Sequence, residues 1–86
     1  MNGDIILKRI RTSLAVAYGK RLRGVVLYGS AARGDAGSES DIDVLVLLDN
    51  VTHYGRDLRT NIETLYPLAL ELGCRISAKP VSEQEY

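Results

Sequence analysis

Residues 41–49 read Asp-Ile-Asp-Val-Leu-Val-Leu-Leu-Asp, and no other stretch narrows the fold as much. The first three residues alternate polar and apolar, as in a strand with one wet face, whereas from Val44 onward both faces are apolar. Such a strand enters a sheet at its rim and ends deep inside it, so it needs neighbouring strands and covering helices. The longest apolar run, Val44 to Leu48, falls far short of the ~18 residues of a membrane span, so no spanning segment and no membrane partner is expected.

The flanking sequence supplies those partners. Ile6, Ile10, Leu14, Ala17 and Leu22 recur at helical spacing, which predicts an amphipathic helix over residues 4–22 with Asp4 at the favourable end of its dipole and Gly24 closing it. Val25 to Tyr28 reads as a short buried strand ended by Gly29. Residues 29–40, Gly-Ser-Ala-Ala-Arg-Gly-Asp-Ala-Gly-Ser-Glu-Ser, form a turn-rich connection. Leu58, Ile62, Leu65, Ala69 and Leu72 predict a second helix over residues 53–72, with a kink or a fresh start at Pro67. Gly73 suits the residue just past a helix, and Cys74 to Val81 reads as a third strand. Ser82 to Glu85 spells a capping box with almost no helix behind it, which leaves open whether the native chain continues past Tyr86. The order predicts an α/β (α+β) fold, a small β-sheet with helices packed on it.

Composition bounds the rest. A chain of 86 residues is expected to be one small domain, residues 1–86, burying ~60–70% of the surface exposed by its unfolded form. With no Trp and no Phe its core must be aliphatic, and its five tyrosines fit core or rim packing. Eleven Lys+Arg balance eleven Asp+Glu, which removes the simplest case for a nucleic-acid binder, and no direct nucleic-acid partner is expected. The first forty residues carry +4 and the remainder −4. Cys74, the single cysteine, forms no internal disulfide and has no marked partner in His53, so it reads as a small core residue. No basic-then-apolar leader precedes the first helix, and a cytoplasmic protein is expected.

Asp41 and Asp43 lie two residues apart at a strand entry, so both point to one face with Cα atoms ~7 Å apart. Their oxygens can converge on a hard divalent cation such as Mg²⁺, and a second ion ~3.5–4 Å away would complete a two-metal site for phosphoryl-type displacement. Gly29 lets the backbone approach a phosphate, Ser30 offers a hydroxyl and an N–H, and Arg33 adds a planar charged fork. A P-loop is excluded because Asp35-Ala36 stands where Lys-Ser/Thr is needed, and no G-x-G-x-x-G fingerprint is present. Taken alone, Asp41 and Asp43 fit a polar strand entry equally well. The joint pattern is more specific: a strand, Gly29-Ser30, ten residues, then Asp41-Ile42-Asp43 leading into a buried strand.

Val25 to Gly34 followed by Ser40 to Val46 resembles the minimal nucleotidyltransferases of the DNA polymerase beta-like superfamily, whose hallmark is Gly-Ser, ten residues, Asp-x-Asp. The resemblance is specific over residues 25–49. It implies the polymerase beta-like nucleotidyltransferase fold with a small mixed sheet. Gly29, Ser30 and Arg33 would bind the nucleotide. Asp41 and Asp43 would bind Mg²⁺ and, with Ser30, form the catalytic set transferring a nucleotidyl group, AMP from ATP, to a hydroxyl. Members of this size pair with a HEPN-domain toxin protein, and as antitoxin add AMP to one of its tyrosines. Many members carry a third carboxylate on a later strand, but Arg75, Ser77 and Lys79 occupy one face of the third strand here and Cys74, Ile76 and Ala78 the other. Glu83, Glu85 and Asp35 are the candidate substitutes, and Lys79 could neutralise phosphate. Two alternatives follow: an antitoxin acting by binding alone, or the catalytic subunit of a small-molecule or RNA nucleotidyltransferase.

Overall fold

The computed structural model describes residues 3–28 and 41–86. Helix α1 spans Gly3–Tyr18 and buries Ile6, Ile10, Leu14 and Tyr18, a stripe at steps of four. It stops four residues before the expected end because Gly19 adopts a φ of 60°, a left-handed conformation that an α-helix cannot contain. A 3-10 turn, Gly19–Arg21, follows, so Leu22 opens strand β1 instead of closing the helix. Ala17 is exposed, and Tyr18 takes the buried place expected for it.

Strand β1 (Leu22–Tyr28) pairs antiparallel with β2 (Ile42–Leu48), from Leu22 opposite Leu48 to Tyr28 opposite Asp43, with a bulge between Leu22 and Gly24. Strand β3 (Ile76–Ser82) runs parallel to β2, which is therefore the central strand of a three-stranded mixed sheet. Helices α1 and α2 (Tyr54–Leu72) pack together and against one face of it. Ile42, Val44, Val46 and Leu48 on that face are buried, whereas Leu45 and Leu47 on the other are only half-buried. The two-sided burial expected from Val44 onward is thus one-sided, because both helices lie on one side of the sheet.

Helix α2 runs through Pro67 without a fresh start and ends at Gly73, whose φ of 70° lets its N–H reach back to the Ala69 and Leu70 carbonyls. Its buried residues are Asp57, Asn61, Leu65 and Leu68: of the expected apolar set Leu65 is buried and Leu72 packs against the core, whereas Leu58 and Ala69 are half-buried and Ile62 is exposed. The cause is a polar clamp. Arg21 donates to both carboxylate oxygens of Asp57, at 3.2 and 3.1 Å, and also to Asp49 and to the Asn50 carbonyl. The Tyr18 hydroxyl faces two acceptors, Asn61 Oδ1 at 2.5 Å and the Asp57 carbonyl at 2.9 Å. Asn61 Nδ2 donates to the Ala78 carbonyl on β3 at 3.0 Å. This last bond and Pro80, which has no N–H, also spoil the outer edge of β3 for pairing with another strand.

The third strand begins two residues later than expected, since the Cys74 N–H still bonds the Ala69 carbonyl and belongs to the helix cap. Cys74 packs, half-buried, against the core. The expected capping box does not form: Glu83–Glu85 is a 3-10 turn, and the Ser82 hydroxyl instead accepts the Val51 N–H at 2.9 Å.

Burial and the nearby Asp57 charge push the Tyr18 hydroxyl from 10.0 up to about 12, with Arg21 opposing. The native state therefore holds this proton more tightly than the unfolded chain does. Its contribution to stability is complete below pH 10 and lost as pH rises through about 12. Urea midpoints should fall between pH 10 and 12 in the wild type, and that fall should be shallower in Tyr18→Phe.

Candidate active site

Asp41 is exposed immediately before β2, and Asp43, half-buried, is the second residue of the strand. Because Ile42 and Val44 point under the helices, Asp43 points to the face that α1 and α2 leave uncovered, together with Leu45 and Leu47. Asp41 has the same parity, and the Ile42 N–H between the two carboxylates is anchored to the Arg75 carbonyl at 2.8 Å. The entry to β2 is thereby held against β3.

The register places Tyr28 opposite Asp43 on one side and Ser77 on the other, with Lys79 beside Leu45 one step further along the same face. Tyr28 and Ser77 are half-buried, and Lys79 and Arg75 are exposed. None of these basic groups forms an ion pair among the described residues, and neither do Asp41 or Asp43. Two carboxylates with no cationic partner among the described residues, and of one strand parity, are a hard oxygen donor set that fits a divalent cation. Among the described residues no group of three His, Cys, Asp or Glu side chains could hold a metal ion. The remaining donors would have to come from phosphate oxygens, water or the connection between β1 and β2.

Gly29, Ser30 and Arg33 lie outside the described residues, as does Asp35. Gly29 follows Tyr28, the last residue of β1, which stands directly opposite Asp43. Glu83 and Glu85 do not substitute for the third carboxylate. They follow Ser82, which pairs with Leu48 at the opposite end of β2, about 20 Å from the entry at ~3.3 Å per residue. Glu83 is moreover within 3.5 Å of Arg23.

Ser77 is the β3 residue beside Asp43, and no Asp or Glu lies between Ile76 and Ser82. Parity alone puts Ser77 and Lys79 on one face of β3. That this face is shared with Asp43, and that Tyr28 flanks it, follows only from a register between strands that no local pattern encodes.

No helix among the described residues is long and apolar enough to cross a membrane. The chain matches the nucleotidyltransferase domain family over residues 7–83. It is 37% identical over 84 residues to a Methanocaldococcus jannaschii protein named "Putative protein adenylyltransferase", a match covering 98% of this chain and 78% of the relative. A second M. jannaschii protein of the same name is 42% identical over 43 residues, covering 50% of this chain and 43% of that relative. No solved structure matches the chain.

Proposed function

The chain belongs to the nucleotidyltransferase domain family, and on that premise we propose that it transfers AMP from ATP to a tyrosine hydroxyl of a HEPN-domain toxin protein and so acts as the antitoxin of a two-component pair. The observation that carries the transferase reading is the pair Asp41 and Asp43 on the uncovered sheet face, free of cationic partners among the described residues. A protein acceptor is supported by the names of both relatives, each called "Putative protein adenylyltransferase". The antitoxin role and the HEPN partner rest on the resemblance of residues 25–49 to the minimal nucleotidyltransferases.

In this reading the acceptor oxygen bonds the α-phosphorus of ATP, the bond from that phosphorus to the bridging oxygen breaks, pyrophosphate leaves and the hydroxyl proton passes to solvent. Bound Mg²⁺, two ions in this reading, would supply charge neutralisation at the phosphoryl oxygens. Asp41 and Asp43 would hold the cation at the strand entry. Gly29, Ser30 and Arg33 bind phosphate oxygens, and Lys79, exposed on the same face, adds positive charge. Among the described residues no element walls this face around an acceptor, which leaves room for a second protein.

A second reading is favoured by β3, which carries no Asp or Glu, whereas many members of the family it resembles have a carboxylate on a later strand: the chain would neutralise its partner by binding alone. The intact mass of the co-purifying partner separates the two. Incubation with ATP and Mg²⁺ is expected to raise that mass by whole adenylyl units, with none gained when either is omitted. A partner that stays bound and silenced at unchanged mass supports the binding-only reading.

A further inference from the structure

A chain read as adding AMP to a tyrosine hydroxyl carries five tyrosines of its own, and the fold sets one of them apart. Tyr18 is buried under the sheet, its hydroxyl beside Asn61 and the Asp57 carbonyl. Tyr54 and Tyr66 stand on α2, which packs on the sheet face opposite Asp43. Tyr86 follows Ser82, which is aligned with Leu48 at the far end of β2. Tyr28 alone stands at the site: it ends β1 directly opposite Asp43 and shares its uncovered face. We propose that Tyr28 is a self-modification site, its phenol oxygen accepting AMP from ATP bound at Asp41 and Asp43 of the same chain. The inference rests on the transferase reading above.

Directly opposed residues of an antiparallel pair have Cβ atoms ~4.5–5.5 Å apart and project the same way. The Asp43 side chain ends in its carboxyl group one carbon beyond Cβ, whereas the Tyr28 ring carries its hydroxyl several bonds further from the sheet. A divalent cation sits ~2.0–2.6 Å from its carboxylate oxygens, so a phenol directed out of the sheet brings its oxygen to the height of that cation and of a phosphate bound to it. Tyr28 is half-buried, and its hydroxyl makes no hydrogen bond among the described residues. Ser77 flanks Asp43 on the other side, but its side chain ends level with the carboxylate. An alkyl alcohol also gives up its proton far less readily than a phenol, with its pKa of ~10.

The step balances as transfer to a partner does. The Tyr28 oxygen bonds the α-phosphorus, the bond from that phosphorus to the bridging oxygen breaks, pyrophosphate leaves and the phenol proton passes to solvent. The adenylyl group then occupies the face that a second ATP needs, which limits the gain to one unit per chain.

Two measurements on the whole chain test this, and the first does not depend on transfer. Terbium(III), a hard cation that oxygen donors bind, luminesces when an excited phenol lies close to it. The tyrosine-sensitised emission that Asp41→Asn with Asp43→Asn removes should also be lost in Tyr28→Phe and kept in Tyr66→Phe. The second is the intact mass of the chain after incubation with ATP and Mg²⁺ and no partner. One adenylyl unit should appear, fragmentation should place it on Tyr28, and Tyr28→Phe should gain none while its circular dichroism spectrum is unchanged. The fraction modified per unit time should not vary with chain concentration, because acceptor and cation site belong to one chain. Terbium emission indifferent to Tyr28→Phe, a unit on another residue, a rate that rises with concentration, or a chain that modifies its co-purifying partner but not itself would overturn the proposal. If neither the partner nor the chain gains mass, the transferase reading fails and this proposal with it.

Discussion

Replacing Asp41 and Asp43 together by asparagine is expected to cut nucleotidyl transfer at least ~10²-fold while leaving the fold intact. Asparagine keeps the size and one oxygen of each side chain but removes the charge that a divalent cation requires, and the cation's charge stabilisation is worth several kcal/mol, of which ~2.7 kcal/mol already gives a hundredfold. The structural half of the expectation follows from their surroundings. Asp41 is exposed, Asp43 is half-buried, and neither pairs with a cation among the described residues, so the substitution orphans no described partner. Urea unfolding should shift by less than ~0.5 kcal/mol, the range of ordinary surface changes. A variant that transfers at the wild-type rate would move the chemistry elsewhere on the chain; one that unfolds would make the two carboxylates structural.

The second large effect lies at the other end of β2. Arg21→Met removes both hydrogen bonds to Asp57, whose side chain is only 3% exposed, and leaves its carboxylate buried without a counter-charge. Breaking a buried pair in this way costs ~3–5 kcal/mol, discounted here to about 2–3 kcal/mol because the Arg21 side chain is itself 37% exposed. A chain of 86 residues has only about 4–13 kcal/mol in total, so the urea midpoint should fall by roughly 1–2 M. Arg21→Met with Asp57→Leu should recover part of the loss, since no charge is then stranded. A loss below about 0.5 kcal/mol for Arg21→Met would mean that the clamp behaves as a solvent-screened surface pair.

The same clamp explains what the sequence does and does not show. Ile6, Ile10 and Leu14 predict the buried side of α1 correctly because every residue on that stripe except Tyr18 is aliphatic. Of the expected face of α2, Leu65 and Leu72 hold but Leu58 and Ile62 do not, because a count of apolar residues cannot register Asp57 and Asn61 as core. They are buried only because Arg21, Tyr18 and the Ala78 carbonyl, distant in the chain, meet them. Gly73 was legible as a helix end, with apolar periodicity before it and a strand pattern after it, whereas Gly19, inside a periodic run, was not. Ser82 carries the letters of a capping box, but its hydroxyl is taken by Val51 from another segment. At the site, the shared parity of Asp41 and Asp43 was visible in two letters of spacing, while Ser77 and Tyr28 became their neighbours only through strand register.

The central claim is that the sheet face bearing Asp41 and Asp43 serves transfer of a nucleotidyl group. Parallel incubations of the chain and its co-purifying partner with Mg²⁺ and ATP labelled at either the α or the γ phosphorus test it most directly. Label from α-labelled ATP should become protein-bound, γ-label should leave as pyrophosphate, and Asp41→Asn with Asp43→Asn should abolish the first without altering the second substrate's blank. Protein-bound γ-label, or α-label bound equally well by the double variant, would contradict the account.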